Sequence, residues 1–320
     1  MHRPPPRPEA DCLTAFSRLR DGSPTNTPEI GEGCNRFPPA TFLGQYFGRL
    51  MHQLTAEGAL SRYADPFAGG AHRTVAELLR GHWDIPLEPH DVFFTLGGTE
   101  AINLTIEYLA AAGTRLILPL PNYYAFDQAA ARWGATVASY YRHDGQLHHN
   151  RAPAARATAI VEVLPNGVTG SFHTTPHCPD PDFTLLDVVI QAGALSDACS
   201  PTATLRRRVQ QLDLDRSAII MTASKDLSLP GLRAAAVITR NRGLRAHLAH
   251  DAFDRTAATN PLGGVLMAVY ASLLPLLDAP SEQIEKLVGI AQDAASATAL
   301  PSLPALAGYR SLLRHLSAMA

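Results

Sequence analysis

Two lysines, Lys225 and Lys286, stand in a chain whose Lys plus Arg total is 27. A guanidinium stays charged and is a poor nucleophile, whereas a desolvated ammonium can shed a proton and attack a carbonyl to form a Schiff base. Lys225 is placed for that chemistry. It follows Ser217-Ala-Ile-Ile-Met-Thr222, an apolar, β-branched run that reads as a buried strand. It therefore stands at a strand's carboxyl end, where open α/β sheets bind ligands. Leu229-Pro-Gly-Leu232 then turns the chain into a second apolar strand, Ala234 to Thr239. A second feature with chemistry in it is Leu96-Gly-Gly-Thr-Glu-Ala101, where strand 91–95 passes into a helix. Glycines at such a turn let the backbone approach a ligand, and the free N–H groups at the helix start favour a phosphate. Taken alone, the same run is more simply a helix cap.

The segment Thr222-x-Ser224-Lys225, with Arg233 eight residues on, resembles the cofactor-lysine signature of the class I/II aminotransferases. These are enzymes of fold type I that use pyridoxal 5′-phosphate. The resemblance implies that Lys225 carries the cofactor as a Schiff base and that Arg233 binds its phosphate with the hydroxyls of Thr222 and Ser224. It makes Gly98 and Thr99 the phosphate cup. In Pro119-Leu-Pro-Asn-Tyr-Tyr124, Tyr123 becomes the aromatic that covers the cofactor ring, while Tyr124 and Phe126 pack. Tyr63, in Tyr-x-Asp-Pro66, is similar to the family's tyrosine that reaches a neighbouring subunit's phosphate; the alternative is an interface or core aromatic.

Two positions depart from the family. Aligned on Thr169-Gly170, the asparagine that donates to the cofactor's phenolic oxygen falls on Gly167, with Asn166 one position away as its substitute. The acid that keeps the pyridine nitrogen protonated is assigned to Asp197, at the end of an expected strand over 194–200. An ordinary strand-end turn residue is the competing reading. Asp187 is the second choice, because 182–191 reads as a short helix with Asp187 in its middle. The tyrosine expected three residues after the acid is Ser200 here.

The elements that must position these residues alternate between strand and helix: helix 71–83, strand 91–95, a helix through Ala111, strand 115–118, helix 124–133, and strands 136–141 and 157–163. Strand 217–222, a helix from Leu244 to Phe253 and a long apolar helix from Gly263 to Leu277 follow. Such alternation predicts an α/β fold, with a doubly wound, mostly parallel, seven-stranded-type sheet. The large domain is expected over 55–278, with an N-terminal arm and first helix over 1–54. An abbreviated, mainly helical small domain is expected over 279–320, without the strand-borne arginine that clamps a substrate carboxylate in the family.

Net charge is −2 with a pI near 6.7, so there is no basic field for nucleic acid. Arg206-Arg-Arg208 reads as an exposed helix face. No apolar run reaches the ~20 residues of a membrane span, and Met1 to Glu9 lacks a signal-type apolar core. Cys12, Cys34, Cys178 and Cys199 form no paired framework, which favours a reducing cytoplasm. His173, His177, Cys178, Asp180 and Asp182 are dense in metal-ligand types but lack repeated ligand spacing, so no metal is assigned. His148 and His149 read as a solvated turn.

The expectation is an aminotransferase working on amino and 2-oxo acids as a homodimer. Elimination, cyclisation or racemisation of an amino acid with the same cofactor, and a catalytically impaired cofactor-binding or structural subunit, are the alternatives.

Overall fold

The computed structural model of the 320-residue chain describes residues 69–274, apart from 144–145, 150–155, 171–179, 190, 192–200, 228, 252–253 and 255–260, together with isolated positions between 48 and 63. Most of the expected first helix and of the arm, the small domain, residues 194–200 and the run His173 to Cys178 lie outside the described residues.

Among the described residues eight strands form one sheet: β1 (Val92–Thr95), β2 (Thr114–Pro119), β3 (Val137–His143), β4 (Gln146–His149), β5 (Ala157–Val163), β6 (Phe183–Asp187), β7 (Ser217–Thr222) and β8 (Ala235–Ile238). Their order is β1-β8-β7-β6-β5-β2-β3-β4. The run from β7 through β6, β5 and β2 to β3 is parallel. β8 lies antiparallel between β7 and β1, and β4 closes the other edge antiparallel to β3. The central strands are apolar on both faces, as parallel strands covered on both sides must be; β6 and β7 are buried at every position.

Alternate residues of each strand feed two cores. On one face Phe94, Leu186, Ile219, Met221, Ala236 and Ile238 pack with α1 (Gly70–Trp83), α4 (Pro201–Gln210) and α6 (Pro261–Leu273). On the other, Phe93, Leu116, Val161, Leu185, Ile220 and Val237 pack with α2 (Gly98–Ala111), α3 (Ala125–Trp133) and α5 (Arg242–Asp251). The sheet is thus doubly wound, as expected. α6 is buried along almost its whole length, and Gly264 permits its close approach: a Cβ there would fall 2.9 Å from Phe94 Cε2. A buried ion pair fixes α4 to the first face, Arg208 Nε and Nη2 donating to the two carboxylate oxygens of Glu162 at 2.7 and 2.8 Å. Both side chains are less than a tenth exposed, so Arg208 does not belong to an exposed basic face.

Two expectations are corrected. Residues 183–187 are a central strand, not part of a short helix. Phe183-Thr-Leu-Leu-Asp-Val-Val189 is a mainly apolar run, and periodicity alone does not separate a buried strand from a buried helix in so short a stretch. Pairing with β5 and β7 decides it. His148 and His149 are in an edge strand rather than a turn, with His148 stacked on Tyr141 at 5.1 Å between centroids. That hairpin strand was not foreseen.

Candidate active site

The strands of the parallel run, together with β1, end at one rim, and the singled-out residues follow those ends. β1 passes through Leu96-Gly97 into α2. Gly97 has φ 95°, a conformation in which a side chain is strained. A Cβ on it would fall 2.8 Å from Arg233 Cζ and closer still to Nη2, so the guanidinium lies directly on the start of α2. Arg233 reaches this place from the amino end of β8. It adopts a left-handed conformation at φ 48°, uncommon without a glycine, and donates to Pro230 O at 2.9 Å and Leu96 O at 3.3 Å. The start of α2 thus combines free N–H groups, a positive dipole end and a guanidinium, the donor set of an anion site.

β7 ends in Thr222, whose hydroxyl donates to Ala234 O at 2.6 Å and accepts the Ser224 N–H at 3.2 Å. The Thr222 and Ser224 hydroxyls are 2.9 Å apart. With the Thr222 proton given to Ala234, Ser224 is the donor between them, and its proton is the one that can turn to an anion. Lys225 follows at once, half-buried in a turn.

β6 ends in Asp187, which is 2% exposed and lies beside Ile220 of β7 in the ladder. Oδ1 accepts the Val189 N–H at 3.1 Å. Burial raises its pKa from 3.8 to about 7, opposed only in part by that hydrogen bond. Val189 also stands against the start of α2, since a Cβ on Gly98 would touch its Cγ1 at 3.6 Å. Asp187 is therefore close to the lysine strand and to the anion site together. The residue sequence reasoning preferred, Asp197, lies outside the described residues. The signal that could have promoted Asp187 was an acid closing a mainly apolar run on the strand just before the lysine strand, its neighbour in the sheet.

The other candidates sort as follows. Thr99 Oγ1 is 3.3 Å from the Tyr123 hydroxyl, which joins the aromatic after β2 to the first turn of α2. Asn166 follows the end of β5 and its side chain is engaged: one hydrogen of Nδ2 goes to Pro121 O at 2.9 Å, and Oδ1 accepts the Val168 and Thr169 N–H groups at 2.9 and 3.1 Å. It braces the two loops that follow cis peptides at Pro121 and Pro165. Tyr63 is 83% exposed and is not brought into this group. A crevice of about 330 Å³ beside Glu162 and Arg208 is lined also by Thr184 and Ser217, at the amino ends of β6 and β7, and so is separate from the rim.

Fold and site together define an α/β domain that presents a lysine, an acid and an anion cradle at one sheet edge. Residues 48–182 match the family model for aminotransferase class I and II, and over that stretch the chain is similar to that family. It is 32% identical over 113 residues to nicotianamine aminotransferase 1 of Oryza sativa subsp. japonica, covering 33% of this chain and 23% of that one. It is 28% identical over 113 residues to an S-alkyl-thiohydroximate lyase of Arabidopsis thaliana, covering 33% and 24%. The chain thus spans about a quarter of the length of these curated relatives. Among solved structures, a double mutant of Thermus thermophilus aspartate aminotransferase superposes with a TM-score of 0.61 at 17% identity, over 91% of this chain and 75% of that one; this likeness concerns the fold.

Members of the family use pyridoxal 5′-phosphate, and the residues present fit it. The cradle of Gly97, Gly98 and Arg233 suits its phosphate. Among the described residues Asp187 accepts one hydrogen bond, from Val189, and a protonated ring nitrogen would supply the cation that its burial calls for.

Proposed function

We propose that the chain is a pyridoxal-phosphate-dependent aminotransferase that moves an amino group between an amino acid and a 2-oxo acid. The observation that carries this reading is the convergence at one rim of Lys225, Asp187 and the Gly97-Gly98 helix start under Arg233. Lys225 holds the cofactor and, when released by the incoming amine, moves a proton at the substrate Cα. Asp187, ionised, accepts the ring N–H. Gly98, Thr99, Ser224 and Arg233 bind the phosphate, with Thr222 orienting Ser224. Tyr123 covers one face of the ring, and Asn166 shapes the loop beside it. The cofactor supplies an electron sink for the carbanion at Cα.

The active unit in this reading is a homodimer. Exposed Tyr63 reaches the neighbour's phosphate, and Leu96, Leu120, Tyr124, Val168 and Leu232, all exposed, supply an apolar surface for the partner near the rim. The scattered cysteines favour the cytoplasm as its compartment; no helix among the described residues is long and apolar enough to cross a membrane.

The test is to load the protein with pyridoxal phosphate and treat it separately with amino acids and with 2-oxo acids. Transamination gives spectral interconversion in both directions, and Lys225→Ala gives no visible band. A protein that takes up no cofactor, or whose band survives Lys225→Ala, refutes the reading. Similarity to a lyase favours elimination as the second reading; its mark is 2-oxo acid and ammonia released without conversion of the cofactor to its amine form.

A further inference from the structure

We propose that Asp226 is a positioning residue for Lys225, clamping the lysine turn to two other elements, with Tyr270 as its hydroxyl donor. The proposal rests on the reading of Lys225 as the residue that holds the cofactor. One oxygen of Asp226, Oδ2, accepts the Gln191 main-chain N–H at 3.0 Å. The same oxygen accepts a short hydrogen bond from the Tyr270 hydroxyl. Gln191 lies four residues beyond Asp187, and Tyr270 is in α6. A single atom therefore ties the turn after β7 to the loop after β6 and to a helix buried against the sheet.

A lysine side chain has a flexible four-carbon stem, so where its amine goes depends on how firmly the backbone at its root is held. On the amino side the β7 ladder and the Thr222 hydroxyl hold that root. On the carboxyl side the turn is closed by Leu227 N–H to Ala223 O at 3.2 Å, and the Asp226 clamp adds the long-range anchor. Tyr270 is 2% exposed. Burial, and then the charge of Asp226, hold its hydroxyl well above the usual tyrosine range, so it remains a donor wherever the fold persists. Because both donors meet one oxygen, an asparagine whose carbonyl takes that place can keep both bonds.

The experiment compares full-length wild type with Asp226→Asn, Asp226→Ala and Tyr270→Phe. The rate at which pyridoxal 5′-phosphate becomes attached is followed between pH 6 and 10 by borohydride trapping, with the labelled peptide identified by mass. Amide hydrogen exchange over 188–191 and 223–227 is measured on the cofactor-free proteins. The clamp predicts that the high-pH plateau of the attachment rate falls about tenfold in Asp226→Ala and several-fold in Tyr270→Phe, and stays within about threefold of wild type in Asp226→Asn. Exchange in the two segments should rise about tenfold in Asp226→Ala, rise in Tyr270→Phe, and match wild type in Asp226→Asn. Equal loss in the Asn and Ala variants would mean that the charge, not the clamp, matters, and would overturn the proposal. So would unchanged exchange and plateau in Tyr270→Phe. If wild type itself attaches no cofactor at Lys225 while the exchange pattern holds, the clamp stands and the cofactor reading falls.

Discussion

Asp187→Asn tests whether a buried carboxylate has been kept at the rim at a cost to the fold. In the cofactor-free chain its pKa stands at about 7 against an ordinary 3.8, chiefly through burial. The folded state therefore holds the proton more tightly than the unfolded state. Stability on this account is greatest below about pH 4, declines as pH rises towards 7, and levels off above it. At about 1.4 kcal/mol for each tenfold change, the gap between 3.8 and about 7 comes to about 4 kcal/mol. That is a large part of the ~5–15 kcal/mol that holds a typical domain together. Asparagine has the shape of the protonated acid and keeps an oxygen for the Val189 N–H. The variant should therefore lack this decline and exceed wild type by up to about 4 kcal/mol at pH 8 without cofactor. Urea unfolding of both proteins from pH 4.5 to 8.5 measures the difference directly. With pyridoxal phosphate bound, the wild-type deficit at pH 8 should close, because a cationic neighbour favours the carboxylate. A wild-type-minus-variant difference that is flat across this range would refute the reasoning.

Three other outcomes are expected. Gly97→Ala should weaken binding of pyridoxal phosphate at least tenfold in calorimetric titration, because its Cβ overlaps the Arg233 guanidinium and its φ of 95° is strained for alanine; unchanged affinity would remove the anion site from this helix start. Glu162→Gln leaves the Arg208 charge buried and should destabilise the chain by about 3–5 kcal/mol in urea, while Glu162→Leu combined with Arg208→Met should recover most of that loss. Thr222→Val keeps the shape but deletes the group between Ala234 O and the Ser224 N–H, so unfolding should show a cost of about 1–3 kcal/mol, accompanied by weaker phosphate affinity.

What could be read from the chain was what is written locally. The run 217–222 and the run 157–163 are strands with the bounds expected, because apolar, β-branched stretches of that length between turn signals have few other uses. Gly97-Gly98 at a strand-to-helix turn, and a lysine followed at eight residues by an arginine, are likewise local signals, and Arg233 lies against that turn. β6 was not legible as a strand, because a run buried on both faces loses the alternation that would identify it; with the strand misread, its closing acid seemed to lie within a helix. The Asp226–Tyr270 contact was beyond reach for another reason. Its partners are 44 residues apart on elements whose packing the sequence does not state. The hold on Asn166 was likewise not legible, since it joins turn geometry to Pro121 O, 45 residues away.

The antiparallel insertion of β8 has one more consequence. Because the chain doubles back directly after Lys225, the tether and anchor of the proposed function, Lys225 and Arg233, are on the two legs of a single hairpin, and in that reading the eight-step interval between them acts as a gauge. Lengthening or shortening that loop by one residue would leave the sheet and both cores untouched, yet would put tether and anchor out of step. Length variation should therefore be tolerated in the hairpin between β3 and β4 and be lethal to cofactor retention between β7 and β8.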